Sequence, residues 1–208
     1  MNNRWFILGL LFITRISLGF QFQTMGATSG KVIYELALNY AEIGTLIGLF
    51  MLPGLFLAIP AGLAGTFFSD KALIGFGFIA LSLGGTIAGL SHGFGFLSVG
   101  RVICGIGFVV STIFFAKVLI DWFEGKELAT AMSVLVMSWP FGIAMGQVGH
   151  GWLSAFLDWR WAFYTASLYC AVSAALIILL YRGPVKELRE NGSVKFSLNK
   201  SELLLTLT

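Results

Sequence analysis

Charged side chains are scarce in this sequence. Only 11% of its 208 residues are Asp, Glu, Lys or Arg, whereas 57% are hydrophobic. A soluble domain carries about 25% charged residues, so this scarcity excludes water as the main solvent of the chain. The alternative is a lipid bilayer, in which each spanning helix needs about 20 mostly apolar residues.

Acidic side chains are absent from the centres of the apolar runs. All 10 Asp and Glu residues fall in predicted loops, near helix ends or in the C-terminal tail. The sequence has no paired carboxylates, no phosphate-cradling glycine loop and no metal-ligand spacing, so we expect no catalytic site, cofactor or metal. The basic residues do not cluster on one soluble face, so the net charge of +3 does not indicate a nucleic-acid partner.

Cysteine and histidine are rarer still, with two residues of each. Cys104 and Cys170 lie inside apolar runs, where a thiol is most often an inert packing group. We expect His92 and His150 at the outer edge of the membrane, as solvated loop residues. Neither pair predicts a functional site.

What the chain does have is six long apolar segments. Each is long enough to cross a bilayer as a helix, the structure that satisfies its own backbone hydrogen bonds in lipid. The predicted segments are 5–25, 42–67, 72–90, 94–120, 129–156 and 161–181. We therefore predict an all-α, multi-pass integral membrane protein whose transmembrane domain covers residues 1–181.

The Lys and Arg residues between the segments are distributed unequally. With the N-terminus in the cytoplasm, nine lie on the cytoplasmic side and two, Lys31 and Arg160, on the other. Cytoplasmic loops carry the excess of Lys and Arg, so we predict this orientation. The polar segment 182–200 is then a cytoplasmic linker. Residues 201–208 look like the first turns of a seventh helix, and we expect a C-terminal half beyond them.

Arg15 stands in the middle of the first apolar segment. It lies about ten residues, or roughly 15 Å, from Trp5, and a charge at that depth needs a protein partner or water. Arg15, Gly19 and Gln23 form one stripe along the helix. An adjacent stripe consists of the polar residues Thr14, Ser17, Gln21 and Thr24. Such a wide polar arc predicts that this helix faces a hydrated passage.

Three partners for Arg15 stay open at this stage. They are a carboxylate from a C-terminal half, helix carbonyls together with glutamine side chains, and an anionic cargo held by the guanidinium fork. We favour the cargo. The predicted substrate-binding residues are Arg15, Gln21, Gln23, Arg101 and Trp139. Arg101 is shallower, so a packing or proton-linked role fits it as well as substrate contact.

The fifth segment carries residues that bend helices or bring them close together. Pro140 removes one backbone hydrogen bond and is expected to bend the helix. Gly142 and Gly146 have the spacing of a close helix–helix contact. We assign a conformational role to these three residues, beside a simple packing role.

Three motifs resemble those of the major facilitator superfamily. "PAGLAGTFFSDK", in the predicted loop between helices two and three, resembles the signature loop of that family, and Gly62, Asp70 and Lys71 match it in type. Thr66 and Phe67 replace the Asp-Arg pair usual there. "GRVICGIG" looks like the arginine–glycine pattern of the fourth helix. The stretch from "DWFEGKELATAM" through "SWPFGIAMG" to "DWRWAFY" is similar to bacterial members, and "SWPFGIA" and "GFQFQ" look most like the cyanate/nitrate-like branch.

The resemblance implies the N-terminal half of a 12-helix fold, built from two inverted three-helix repeats. Helices one and four would line the cavity, and the signature loop would contribute to gating. It implies secondary transport of a small solute by alternating access in a bacterial inner membrane, driven by a proton or substrate gradient. With Arg15 as ligand, the solute is expected to be an anion or organic acid.

Other functions are weighed against this one. Within the transporter class, the alternative is an efflux transporter for neutral or hydrophobic compounds. Outside that class, the alternatives are a multipass membrane enzyme, an inactive truncated product and a six-helix protein that dimerises. The missing catalytic constellation argues against the enzyme.

Overall fold

The computed structural model describes residues 4–183, which form six α-helices joined by short connections. The helices are α1 (Arg4–Leu36), α2 (Tyr40–Ala64), α3 (Asp70–Gly89), α4 (Phe94–Trp122), α5 (Gly125–Phe156) and α6 (Arg160–Leu180). By length and composition, all six can cross a membrane, which confirms the predicted six-helix, all-α architecture. From residue 184 onward, the expected linker and seventh helix lie outside the described residues.

The first helix extends well beyond the predicted end at residue 25. Its last turns are polar in sequence, but the hydroxyls of Thr28 and Ser29 donate to carbonyls one turn back in the helix. Val32 is fully buried. Glu35 then accepts hydrogen bonds from the α5–α6 connection and the start of α6. Tertiary contacts therefore hold a segment that hydropathy alone would end early.

The signature-like motif at 60–71 was expected in a loop, and this placement is wrong for most of it. α2 continues through Pro60 to Ala64, and α3 begins at Asp70. Only residues 65–69 connect the two helices. The Ser69 hydroxyl accepts a hydrogen bond from the Ala72 amide and caps α3, which fixes where that helix starts.

His92 is exposed in the α3–α4 connection, as predicted. The same prediction is wrong for His150. This residue is buried in α5, and its Nε2 lies 3.1 Å from the Phe20 carbonyl oxygen of α1. His150 is not in a loop, because α5 continues past it to Phe156, and its side chain faces α1.

The helices pack in a symmetric pattern. α1 packs mainly against α5 and α6, α4 packs mainly against α2 and α3, and α3 meets α6. The six helices thus form two triplets, α1–α3 and α4–α6. The first helix of each triplet packs against the second and third helices of the other triplet. The triplets also begin at opposite ends of the bundle. This is the arrangement of inverted repeats.

The two ends of the bundle are tied by different ion pairs. At the Arg4 end, Arg4 pairs with Glu127 across α1 and α5. At the opposite end, which we call the Glu35 end, Arg160 pairs with Glu35 at 2.6 Å. Arg160 also donates to the Ser91 carbonyl oxygen after α3, so one side chain joins three helix ends.

α1 and α5 touch through their backbones where two glycines meet. A Cβ atom on Gly19 would overlap the Trp139 carbonyl oxygen and approach the Ile143 nitrogen to 2.9 Å. A Cβ atom on Gly142 would likewise overlap the Ile16 carbonyl oxygen. The predicted close contact of Gly142 is therefore present, and it is with α1.

We expect Gly19→Ala to destabilise the bundle by about 1–3 kcal/mol, because the added methyl group has no space at the crossing. Gly9→Ala is the matched control, since nothing lies within 4 Å of a Cβ atom at Gly9 of the same helix. Unfolding of the purified protein in detergent measures both. Equal stability of the two variants would contradict the close crossing.

Candidate functional site

Arg15 lies at the crossing of α1 and α5, about 16 Å from the start of α1. Its Nη1 donates to the Leu135 carbonyl oxygen at 2.5 Å and lies 3.5 Å from the Ser138 hydroxyl. Its Nε is buried and has no partner in the described part of the chain. Within residues 4–183 no carboxylate pairs with it. The protein therefore satisfies this half-buried guanidinium only in part.

Arg101 is in a different situation, because it is fully buried. Its Nε donates to the Leu46 carbonyl oxygen at 3.1 Å, and its Nη2 donates to that of Phe22 at 3.2 Å. Its Cζ stands 4.6 Å from the centre of the Phe50 ring, a cation–π contact. In this conformation Arg101 joins α1, α2 and α4 and has no surface open to a solute.

The two predicted glutamines also separate. Gln21 is fully buried and donates to the Cys104 Sγ at 3.4 Å, which leaves its Oε1 without a partner. Gln23 is half-buried and donates to the Oε1 of Gln147 on α5. We call the contact between α1 and α5 the seam. Of the two glutamines, only Gln23 lies with Arg15 on the partly exposed side of this seam.

Trp139 belongs to a cluster of four rings, one from each of four helices. It lies 5.4 Å from Phe22 of α1 and 4.9 Å from Phe108 of α4, measured between ring centres. Phe50 of α2 lies 5.3 Å from both of those phenylalanines. We call these four rings the aromatic floor. Together with the hydrogen bonds of Arg101 and Gln21, it links α1 to α4.

The aromatic floor follows an internal repeat in the sequence. α1 reads Arg15-x3-Gly19-x2-Phe22, and α4 reads Arg101-x3-Gly105-x2-Phe108. Each glycine lies against the backbone carbonyl oxygen of a floor residue on a neighbouring helix. Gly19 of α1 contacts Trp139 of α5, and Gly105 of α4 contacts Phe50 of α2.

The arginines follow the same rule. Arg15 donates to Leu135, which stands four residues before Trp139, and Arg101 donates to Leu46, four residues before Phe50. Phe22, Phe108 and Gln147 were missed in the sequence analysis. The repeated Arg-x3-Gly-x2-Phe pattern is the signal that could have revealed the two phenylalanines.

The predicted gating residues lie in two places. Pro140 lies in an uninterrupted α5 beside the floor, and Gly142 and Gly146 lie in the seam with α1. The other three, Gly62, Asp70 and Lys71, lie at the Arg4 end, in the last turn of α2 and the first turn of α3. The structure does not bring these two groups together.

At the Arg4 end, Asp70 pairs with a lysine other than its neighbour Lys71. The Lys117 Nζ of α4 lies 2.5 Å from the Asp70 Oδ1 and 3.8 Å from the Asp121 Oδ2. Both carboxylates line a pocket of about 380 Å³ with Tyr181. Burial, reinforced by these two negative charges, raises the pKa of Tyr181 to about 12.

Relatives of known description are transporters. A probable sphingolipid transporter, spinster homolog 1 of Arabidopsis thaliana, is 34% identical over 147 residues, which cover 68% of this chain and 29% of that protein. A probable L-galactonate transporter of Escherichia coli (strain K12) is 27% identical over 148 residues, which cover 71% and 33%. The chain thus spans about a third or less of these relatives. The narrower resemblance to a cyanate/nitrate-like branch is not tested by them and stays a prediction.

The fold also has solved counterparts. The crystal structure of a bacterial homolog to the human lysosomal transporter Spinster superposes with a TM-score of 0.76 at 19% identity, covering 88% of this chain and 45% of that one. A peptide transporter superposes with a TM-score of 0.71 at 15% identity, covering 82% and 37%. The family model of the Major Facilitator Superfamily matches residues 6–206. With its six-helix fold and inverted repeats, the chain belongs to the major facilitator superfamily.

Proposed function

We propose that the protein is a secondary transporter for a small organic anion and that Arg15 binds the anionic group of the cargo. The observation that carries this proposal is the state of the Arg15 guanidinium. It lies deep in a spanning helix, is only half-buried and has no carboxylate partner within the described residues. An anion that binds its free edge would supply the missing charge and hydrogen bonds.

The surroundings of Arg15 support an anion over a cation. Arg101 adds a second buried positive charge behind the aromatic floor. The ion pairs of the described acidic residues lie at the two ends of the bundle. Interaction between charges is strong in a poorly screened interior, so this half disfavours a cation. L-galactonate, named for one relative, is an organic anion.

We propose that these six helices form one half of the transporter and that a C-terminal half covers α2 and α5. These two helices are the least buried of the six. Their apolar side chains Leu55, Ile59, Met137 and Val148 are all more than half exposed. One half would rock against the other around the floor, with Pro140, Gly142 and Gly146 at the moving seam. Gly62, Asp70 and Lys71 would act at the Arg4 end.

The proposed location is a bacterial inner membrane with the Arg4 end in the cytoplasm. The excess of Lys and Arg at that end supports this orientation. A proton or substrate gradient would drive transport. We assign no catalytic residue.

A neutral or hydrophobic cargo is the second candidate. The aromatic floor favours it, because three of its rings remain half-buried beside the seam. One relative is described as a probable sphingolipid transporter. The two candidates differ in how much Arg15 contributes to binding, because a neutral cargo gains little affinity from a guanidinium.

Replacing Arg15 with Gln in the full-length protein tests the anion. We expect uptake of monocarboxylates to fall at least about tenfold, the equivalent of losing one charge-assisted hydrogen bond, while uptake of neutral solutes is unchanged. Arg4→Gln is the matched control, because Arg4 is an exposed partner of Glu127. If Arg15→Gln and its parent take up both classes equally, the anion proposal is wrong.

The hydrated passage is tested by thiol labelling. Cys104 and Cys170 are fully buried, so we expect the parent protein in membranes to resist a charged, membrane-impermeant thiol reagent. The variant Gln147→Cys, altered at the open seam, should react, because the reagent needs water to reach the new thiol. Leu168→Cys is the control, since Leu168 is an exposed apolar residue near the middle of α6 and is expected to face lipid. If the Gln147→Cys variant resists the reagent as fully as the Leu168→Cys variant does, the passage is contradicted.

A further inference from the structure

We propose that the cargo is a monoanion with an apolar ring, which lies on the aromatic floor while its acid group binds Arg15. This inference rests on the proposed transport of anions and names the class of cargo. It depends on residues that the sequence analysis did not assign, chiefly Phe22 and Phe108.

The aromatic floor lies at the middle of the bundle. Phe22 and Phe108 are both near the midpoints of their helices, Arg4–Leu36 and Phe94–Trp122. Because the two triplets run in opposite directions, the repeated arginines lie on opposite sides of this level. Arg15 lies seven residues before Phe22, about 10 Å toward the Arg4 end. One small molecule can therefore place a ring on the floor and its acid group at Arg15.

The floor can receive a ring. Phe22, Phe108 and Trp139 are half-buried, whereas Phe50 is fully buried behind them. Their contacts are tilted or edge-on, with interplanar angles of 40°, 45° and 70°. Aromatic rings prefer offset or edge-to-face partners, so a further apolar ring adds to such a cluster without breaking it.

The position of Trp139 links the floor to Arg15. The Arg15 Nη1 donates to the carbonyl oxygen of Leu135, which stands one helical turn before Trp139 on the same face of α5. The backbone contact at Gly19 and Trp139 keeps α1 and α5 too close for any side chain to stand between them. The guanidinium and the indole are thus neighbours on one seam.

The charges on the two sides of the floor limit the cargo to one acid group. Arg101, the equivalent of Arg15, is sealed by three backbone carbonyls and the Phe50 ring. It attracts negative charge toward the floor, but because it is fully buried it offers no donor to a solute in this conformation. A second carboxylate would lie against aromatic carbon without a partner, which is costly in a site of low polarity.

Equilibrium binding to the purified full-length protein tests the inference with three probes, which are benzoate, acetate and benzyl alcohol. Benzoate and acetate share the acid group, while benzoate and benzyl alcohol share the ring. We expect benzoate to bind about tenfold more tightly than acetate, as the burial of one ring against aromatic side chains predicts. Trp139→Leu should remove most of this preference, so that benzoate and acetate bind with similar affinity, whereas Trp139→Phe, which keeps a ring, should retain the preference.

Trp152→Leu is the matched control. Trp152 is on the same helix, is 65% exposed and lies 5.3 Å from Phe156 between ring centres in a tilted contact, remote from the floor. Equal binding of benzoate and acetate to the parent, both lost in Arg15→Gln, would overturn the ring while the anion proposal stands. Failure of benzoate and acetate alike to bind, or binding of both that Arg15→Gln leaves unchanged, would overturn both proposals, whereas failure of benzoate alone would overturn only the ring. A benzoate preference that survives Trp139→Leu would show that the ring lies elsewhere.

Discussion

The whole arrangement depends on the cost of placing a guanidinium among spanning helices without a counter-charge. Arg15 and Arg101 both carry that cost, and no described carboxylate offsets it. A buried charge is tolerated only with hydrogen bonds, aromatic faces or water around it. The chain uses these means differently at the two positions, and the difference separates a structural arginine from one that is open to a ligand.

The inverted repeat makes that comparison unusually direct. Both arginines stand four residues before a glycine that lets the neighbouring backbone approach, and both donate to a leucine carbonyl of that neighbour. From these equivalent starting points, Arg101 gains Phe22, Gln21 and Thr24 as further partners on α1. Among the described residues, Arg15 gains only the Ser138 hydroxyl. The symmetry is therefore broken in the number of hydrogen bonds, and the position with fewer bonds is the one on the open seam.

The sequence was sufficient for the helices and insufficient for the contacts between them. Hydropathy located all six spans, because lipid imposes a minimum length of apolar residues on each. It ended α1 near residue 25, because nothing local in "GATSGKVIYEL" shows that Trp159 and Arg160 will hold Glu35. His150 was misplaced for a similar reason. Its burial follows from facing Phe20 of α1, and the direction of a side chain depends on how two helices cross.

The candidate site shows the same limit. Depth along the helix identified Arg15 as a residue in need of a partner. Depth alone could not distinguish Gln21, which is enclosed beside Cys104, from Gln23, which pairs with Gln147 across the seam. Phe22 and Phe108 went unnoticed among 20 phenylalanines, since an apolar ring in an apolar helix carries no signal of its own. Only the repeat of Arg-x3-Gly-x2-Phe in two helices distinguishes them.

The proposed transporter must also pass through an empty state, and the contacts of Arg15 fit that requirement. A guanidinium that depended on cargo alone would be exposed to a large desolvation cost whenever the cargo left. The Leu135 carbonyl and the Ser138 hydroxyl hold it in the absence of a ligand. In the proposed transport cycle these partners would compete with cargo for the same hydrogen bonds, so they would lower affinity as well as stabilise the empty site. Release on the far side needs moderate affinity, whereas an arginine as fully buried as Arg101 would leave nothing for cargo to bind.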